Sequence, residues 1–384
     1  MSVDRRSTLK LAGAAAVVLA AGGGTFILTR EPTRATEPWR LANSVGSDPR
    51  LRALSHAILA PNPHNRQPWL VDLRTAGELV LYCNSERLLP VTDPESRQIV
   101  IGLGCFLEIL RMAAAEDGFA AEIAPFPEGA PRVKLGEKPI ARVRFRRAEA
   151  VKKDPLFAHV LHRRTNKEPY DTAREVGKLA LASLADAADG GFAVGTTNKP
   201  DRVGELRALT WRAMETELNT RDAYMESVHL MRIGKTEIEA SPDGIDLGGP
   251  FLEGLSLLGM LSRETLADPT STAFRQGQDM FREITGTAMA FVWIKTDGNS
   301  RATQLAVGRA WVRINLKATE LRLGIHPLSQ ALQEYAEMRP HFAAVHGMLV
   351  PDGRLRIQML ERLGYGPEVG PSPRWPLETR ITKI

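Results

Sequence analysis

Gln98-Ile99-Val100-Ile101-Gly102 and Gln304-Leu305-Ala306-Val307-Gly308 decide how this 384-residue chain is organised. They lie 206 residues apart, and in that register Leu110-Arg111 meets Leu316-Lys317 and Gly118 meets Gly324. Each stretch opens a run of about 20 residues with apolar positions at helical spacing, and each run stops at a glycine. Upstream lie apolar, strand-prone runs, Glu78–Cys83 and Ala288–Ile294, followed by Asn84-Ser85 and Asn299-Ser300 respectively. The matched order of strand, polar turn, helix and stop reads as an internal repeat. It predicts an N-terminal half over 46–150 and a C-terminal half over 151–384.

Each half mixes strand and helix signals. Val143 and Phe145 alternate with Arg142 and Arg144, so Ala141–Phe145 reads as a strand that closes the first half, and Arg354–Leu360 reads likewise in the second. Pro49–Ile58 reads as a short helix and Leu70–Leu73 as the first core strand. The class expected is α+β, with helices covering mostly antiparallel sheets. The second half carries extra length at about 203–277, punctuated by Ser241-Pro242-Asp243-Gly244 and Gly248-Gly249-Pro250. An insertion of this size is expected to be either a lid or helical decoration.

The N-terminus reads as an address. Asp4-Arg5-Arg6-Ser7-Thr8-Leu9-Lys10 precedes an apolar run from Leu11 to Leu28, the pattern of a signal peptide of the twin-arginine type. Residues 1–35 are therefore set aside as a signal segment, and the twin-arginine export machinery is an expected partner. The expected location is periplasmic or otherwise extracytoplasmic, with a membrane tether if the segment stays uncut. This segment holds five Lys/Arg against two Asp/Glu, so most of the net charge of +5 belongs to it. Nucleic-acid binding gains no support from such a balance. Cys83 and Cys105 are the only cysteines, too few for a zinc site, and are expected to be buried free thiols.

Two motifs carry chemistry. Arg163, Arg164 and Lys167 with Thr165 set three cations and a hydroxyl within five residues, a combination suited to a phosphate monoester. Pro61-Asn62-Pro63-His64-Asn65-Arg66-Gln67-Pro68-Trp69 is a Pro-rich turn that can hold amides in fixed directions.

Together the two motifs resemble the flavin-contacting signatures of the nitroreductase family. In that family they act from different subunits, so the resemblance implies two nitroreductase-like lobes fused in one chain as a pseudo-dimer, with FMN at their junction. It implies that Arg163, Arg164 and Thr165 hold the phosphate and that Lys167 stabilises charge on the reduced ring. Asn62, Asn65 and Gln67 would approach the ring or its ribityl chain. The late run Gly364-Tyr365-Gly366 leading to Pro373-Arg374-Trp375 resembles the family's closing turn, which makes Arg374 a second phosphate ligand. Pro327, Leu328 and Ser329, after Gly324-Ile325-His326, correspond to the loop that faces flavin N5 through its backbone. The family often has Ser where Asn62 or Pro63 stands here. Arg163 to Tyr170 and Pro327 to Gln330 look like runs of the Acg subgroup, and the likeness covers most of 46–384.

No G-x-G-x-x-G, Walker A, G-x-S-x-G or H-E-x-x-H is present, and no histidine pair has metal-ligand spacing. The reading is an FMN-dependent oxidoreductase acting between a small-molecule electron donor and acceptor, with no side chain marked as catalytic. A flavin-sequestering protein without turnover is the alternative. A monomer is expected, because the usual dimer interface would lie within the chain.

Overall fold

Two 20-residue helices, Arg97–Glu116 and Arg301–Glu320, cross at the centre of the molecule. The computed structural model describes residues 29–131 and 135–382. Arg5-Arg6 and the apolar run to Leu28 lie outside the described residues.

The N-terminal half runs α1 (Thr33–Leu41), α2 (Pro49–Ala57), β1 (Trp69–Asp72), β2 (Glu78–Cys83), α3 (Arg97–Glu116), β3 (Phe119–Pro125) and β4 (Ala141–Arg147). After a 3-10 stretch, Pro155–His162, the C-terminal half opens with α4 (Lys178–Ala187) and β5 (Ala193–Thr197). An insertion follows: α5 (Pro200–Asn219), α6 (Arg221–Leu230), β6 (Met231–Ile233), α7 (Gly234–Ala240), β7 (Ile245–Leu247), α8 (Pro250–Leu257), α9 (Arg263–Ala267) and α10 (Thr272–Gly286). The half then closes with β8 (Ala290–Thr296), α11 (Arg301–Glu320), β9 (Gly324–Pro327), α12 (Arg339–Leu349) and β10 (Arg356–Gly364).

The two main sheets have the same topology. One is ordered β1-β2-β4-β3 and the other β5-β8-β10-β9, and every pairing within them is antiparallel. In each, the long central helix connects the second and third strands in chain order once the insertion is set aside. The class is α+β, and two equivalent lobes share one chain.

The repeat register is corrected by two residues. The central helices begin and end 204 residues apart, Arg97 with Arg301 and Glu116 with Glu320. Their contact shows why. A Cβ on Gly104 would collide with the Leu305 carbonyl, and one on Gly308 with the Ile101 carbonyl, so the pairs 104/308 and 101/305 exchange roles across the crossing. Two positions along a helix turn the side chain by roughly 200°, so only the 204 register brings equivalent faces together. The helix stops agree: the positive-φ residues are Gly118 and Arg322, whereas Gly324 lies in β9. Arg322 takes the left-handed conformation without being glycine, so its stop leaves no sequence mark.

Helix α3 is apolar and long enough to cross a membrane by composition, yet 89% of that stretch is buried inside the protein. It packs on α11 and α2, and its Leu103, Phe106, Leu107 and Leu110 belong to a core continuous with both sheets. The insertion has its own small apolar cluster of Met214, Leu218, Tyr224, Val228, Leu266 and Phe274. Beyond β10 the chain returns across the first half. Thr382 N donates to Val71 O at 2.8 Å, and Val71 bridges Ile381 alongside β1. This tail sets Arg374 against the loop that follows α2.

Candidate functional site

The loop between α2 and β1 is held in an unusual backbone. His64, Asn65 and Gln67 all have φ near +50°, a region side-chain-bearing residues rarely enter. The local amides hold it there. Asn62 Oδ1 accepts from Gln67 N at 2.7 Å, and Asn62 Nδ2 donates to Ala60 O at 3.1 Å. Gln67 is fully buried, with Nε2 donating to Pro242 O at 2.7 Å and Oε1 accepting from Trp375 N at 2.9 Å. One amide therefore joins the loop to the insertion and to the tail.

Asp243 strengthens that junction. Its carboxylate meets Arg66 at 3.3 Å, Arg87 at 2.6 Å and Arg232 at 2.8 Å, and it is 6% exposed. The turn Ser241–Gly244 is thus docked on the Pro-rich loop.

The structure brings Arg163, Asn65 and Arg374 together. Arg374 Nη1 donates to Asn65 Oδ1 at 2.7 Å, and Asn65 Nδ2 donates to Pro373 O at 2.9 Å. Arg374 Nη2 donates to Leu59 O at 3.1 Å and Ala60 O at 3.2 Å, while Arg163 Nη2 reaches the same Leu59 O at 3.4 Å. Both guanidiniums are buried, at 2% exposure each. Their acceptors are all neutral. Arg163 Nε and Nη1 and Arg374 Nε are buried without a hydrogen-bond partner, and no carboxylate pairs with Arg163, Arg164 or Arg374 among the described residues.

Burial pushes Arg163 down to about 10, with Arg164 adding to the shift, so it remains a cation at neutral pH. Arg374 is pushed well down by burial and then by Arg163, with Asp246 opposing the shift and Arg164 adding to it. Buried donors and buried positive charge without an anion are both costly. An anion with several acceptor oxygens would relieve both, and a phosphate monoester is of that kind.

The rest of the Arg163–Tyr170 run is fixed from its far end. Tyr170 lies against Gly324, Gly364 and Gly366, where a side chain on any of the three would strike its ring. The Gly364-Tyr365-Gly366 run therefore makes room for Tyr170. Arg362 spreads its face over that ring at 3.9 Å and donates to Glu168 O at 2.8 Å and Asn166 O at 3.2 Å. Arg362 Nε also donates to His326 Nδ1 at 3.0 Å. A guanidinium cannot accept, so His326 Nδ1 carries a lone pair and the ring is neutral. Burial, then Arg362 and Lys167, holds it there. His64 is likewise lowered to about 4 by burial, with Lys167 and Arg66 adding. Lys167 itself is exposed, and both neutral imidazoles lie within its electrostatic reach.

Other expected residues stand apart. Arg164 Nη1 bends back to Leu161 O at 2.9 Å and Arg163 O at 2.8 Å, and Thr165 is half-buried beside it. Pro327 ends β9 opposite Glu361. Leu328 N donates to Leu360 O at 2.9 Å, so that amide is used within the sheet, and Ser329 O accepts from Leu332 N at 2.9 Å. Among the described residues no hydrogen bond joins Pro327, Leu328 or Ser329 to the Arg163–Arg374 group. Both thiols are buried and free, with Cys83 pushed up to about 12 by burial. A surface cleft of about 560 Å³ lies elsewhere, beside Arg111, Asp154 and Arg313.

No family model matches the chain. A Mycobacterium tuberculosis (strain ATCC 25618 / H37Rv) protein named "Putative NAD(P)H nitroreductase Rv3131" is 25% identical over 325 residues, covering 84% of this chain and 87% of that protein. "Uncharacterized protein Rv3127" of the same strain is 25% identical over 343 residues, covering 85% of this chain and 92% of its own. A shorter match, 34% over 77 residues, joins 20% of this chain to 22% of the same organism's "Putative NAD(P)H nitroreductase acg". These relatives support the nitroreductase family. The chain also aligns with a solved BluB-like flavoprotein from Clostridium difficile 630, at TM-score 0.37 and 14% identity over 60% of this chain and 99% of that one.

Two residues of the candidate site carry no mark in the sequence. Arg362 sits inside a strand, where alternation marks it only as one polar position among others. Trp39 lies at the edge of the arginine group, in residues ahead of the stretch that carried the resemblance.

Proposed function

We propose that this chain is an FMN-dependent oxidoreductase of nitroreductase type, with one phosphate-binding group made by Arg163, Arg374 and Asn65. The observation that carries the reading is the pair of buried arginines that share Leu59 O, keep unpartnered donors and form no ion pair with a carboxylate among the described residues. Thr165 and Arg164 flank that group, and Lys167 would place a cation near the ring. His64 and His326 are neutral and supply no second charge there. When bound, FMN supplies hydride or single-electron transfer between a reduced donor and a small acceptor. The relatives' names point to a nicotinamide donor.

The visible absorbance of the purified chain tests the cofactor, and turnover with NADH, NADPH and a quinol tests the activity. About one FMN per chain and steady turnover are expected. Absence of flavin after incubation with excess FMN would remove the reading.

The docking of Pro242 and Asp243 on the Pro-rich loop favours a second reading, a flavin-sequestering protein. Tight FMN that no donor ever bleaches would select it.

We also propose export by the twin-arginine route, read from Arg5-Arg6. Replacing both by Lys should retain the chain in the cytoplasm, and unaltered export would refute this. The boundary at residue 35 falls inside α1, where Ala35 is 3% exposed and accepts from Arg374 N. The mass of the exported form should therefore place any cut before Thr33.

A further inference from the structure

Helix α1 carries one aromatic residue, Trp39, and three guanidiniums share its indole. Their central carbons lie 4.7 Å (Arg164), 5.3 Å (Arg374) and 5.8 Å (Arg163) from the ring centre. The indole N–H donates to Ser372 O at 2.8 Å, and Arg374 N donates to Ala35 O at 2.7 Å. α1 and the C-terminal tail are thus joined on both sides of the arginines.

A guanidinium stacks through its face and donates hydrogen bonds through its edge. Among the described residues the Trp39 ring accepts no N–H donor of these three arginines, so it attracts the cations without using their donors. The buried edge atoms without a partner are Arg163 Nε and Nη1 and Arg374 Nε. An aromatic face attracts cations without bringing a carboxylate that would compete with an incoming anion. It can gather three like charges and still leave their donors for phosphate. A carboxylate in its place would neutralise the group and repel the ligand.

The outer attachments of the segment lie on the insertion. Arg30 meets Glu253 at 3.0 Å, and Arg34 N donates to Glu239 at 3.3 Å. Residues 30–41 consequently span from the insertion to the arginine group.

We propose that Trp39 is a positioning residue that keeps Arg163, Arg164 and Arg374 aligned for the cofactor phosphate. This rests on the FMN reading above. The test is the rate of FMN release from the loaded full-length protein after dilution, followed by recovery of flavin fluorescence. Trp39→Ala should release FMN about tenfold faster or more, as expected for lost stacking on buried cations. Trp39→Phe should restore most of the wild-type rate, because it keeps an aromatic face. Trp39→Leu fills space without that face and should release as fast as Trp39→Ala; it also covers the case in which the alanine variant folds poorly. A Trp39→Leu rate equal to wild type overturns the proposal. Failure of the wild type to take up FMN overturns the function reading and this one with it. Uptake with an unchanged release rate in the Ala and Leu variants overturns this one alone.

Discussion

Two arginine groups in this molecule have opposite electrostatics. In one, Arg111, Arg309 and Arg313 converge on Glu108, at 2.6, 2.9 and 3.2 Å, and Arg111 and Arg313 also reach Asp154. In the other, Arg163, Arg164 and Arg374 converge on Trp39 and on backbone carbonyls. The two occupy matching places. Asp154 follows β4, and Arg313 Nε meets Ala187 O at the end of α4; Arg374 follows β10 and meets Leu59 O just beyond α2. Every guanidinium of the first group is paired with a carboxylate, three arginines against two acids. In the second no guanidinium is paired with a carboxylate among the described residues, and that contrast is what supports the proposed phosphate site.

The largest effect that would break this contrast is on cofactor affinity. Arg163→Met should weaken FMN binding by about 100-fold or more, the scale of removing one partner from a buried charge pair. The same variant should leave the cofactor-free protein as stable as before or more so, since it replaces an unpaired buried charge by apolar volume. Fluorescence titration and thermal melting without FMN separate the two.

Glu108→Ala should do the reverse. It should cost about 3–5 kcal/mol of stability by leaving Arg309 without an acid and Arg111 and Arg313 with Asp154 alone, and should leave FMN affinity unchanged in the folded fraction.

A third test compares carboxyls with and without cations. Burial pulls Glu108 up, but its bonds to Arg111 and Arg309 outweigh that and hold it below the ordinary value. Its contribution is present above the unfolded pKa and lost as pH falls through the folded one. Glu217 is bonded to Gln333 at 2.6 Å with no cation, and burial raises it to about 7. In the unfolded chain it ionises near 4.5, so stability should fall as pH rises from there to about 7. Glu217→Gln should flatten that slope in denaturant titrations across the range. The smallest effect belongs to the exposed pair Arg40–Glu37: Glu37→Ala should change stability by less than about 0.5 kcal/mol.

Much of this architecture was legible in the residues. Alternation at Ala141–Phe145 and the apolar run Glu78–Cys83 mark strands that the structure contains, because each has one face on the core. The repeat was visible but two residues out of register. Chance identities at Gln98 and Gln304 outweighed the Gly104/Gly308 contact, whose meaning depends on a partner helix distant in sequence. Arg163 and Arg374 were legible as cations of the right kind, but their lack of an acid was not, since pairing is a property of space. The amides of Asn65 and Gln67 were expected to face a ring, and here they hold Arg374, Pro242 and Trp375. Nothing near Trp39 in the sequence points to the arginines, because its neighbours there are more than a hundred residues away.

The glycine crossing at 104 and 308 has a consequence for how the protein meets dilution. Two lobes held by separate chains part as concentration falls, and a site between them parts with them. Here the crossing is closed by one polypeptide, so its local concentration is set by the covalent path and stays the same in a crowded or an empty compartment.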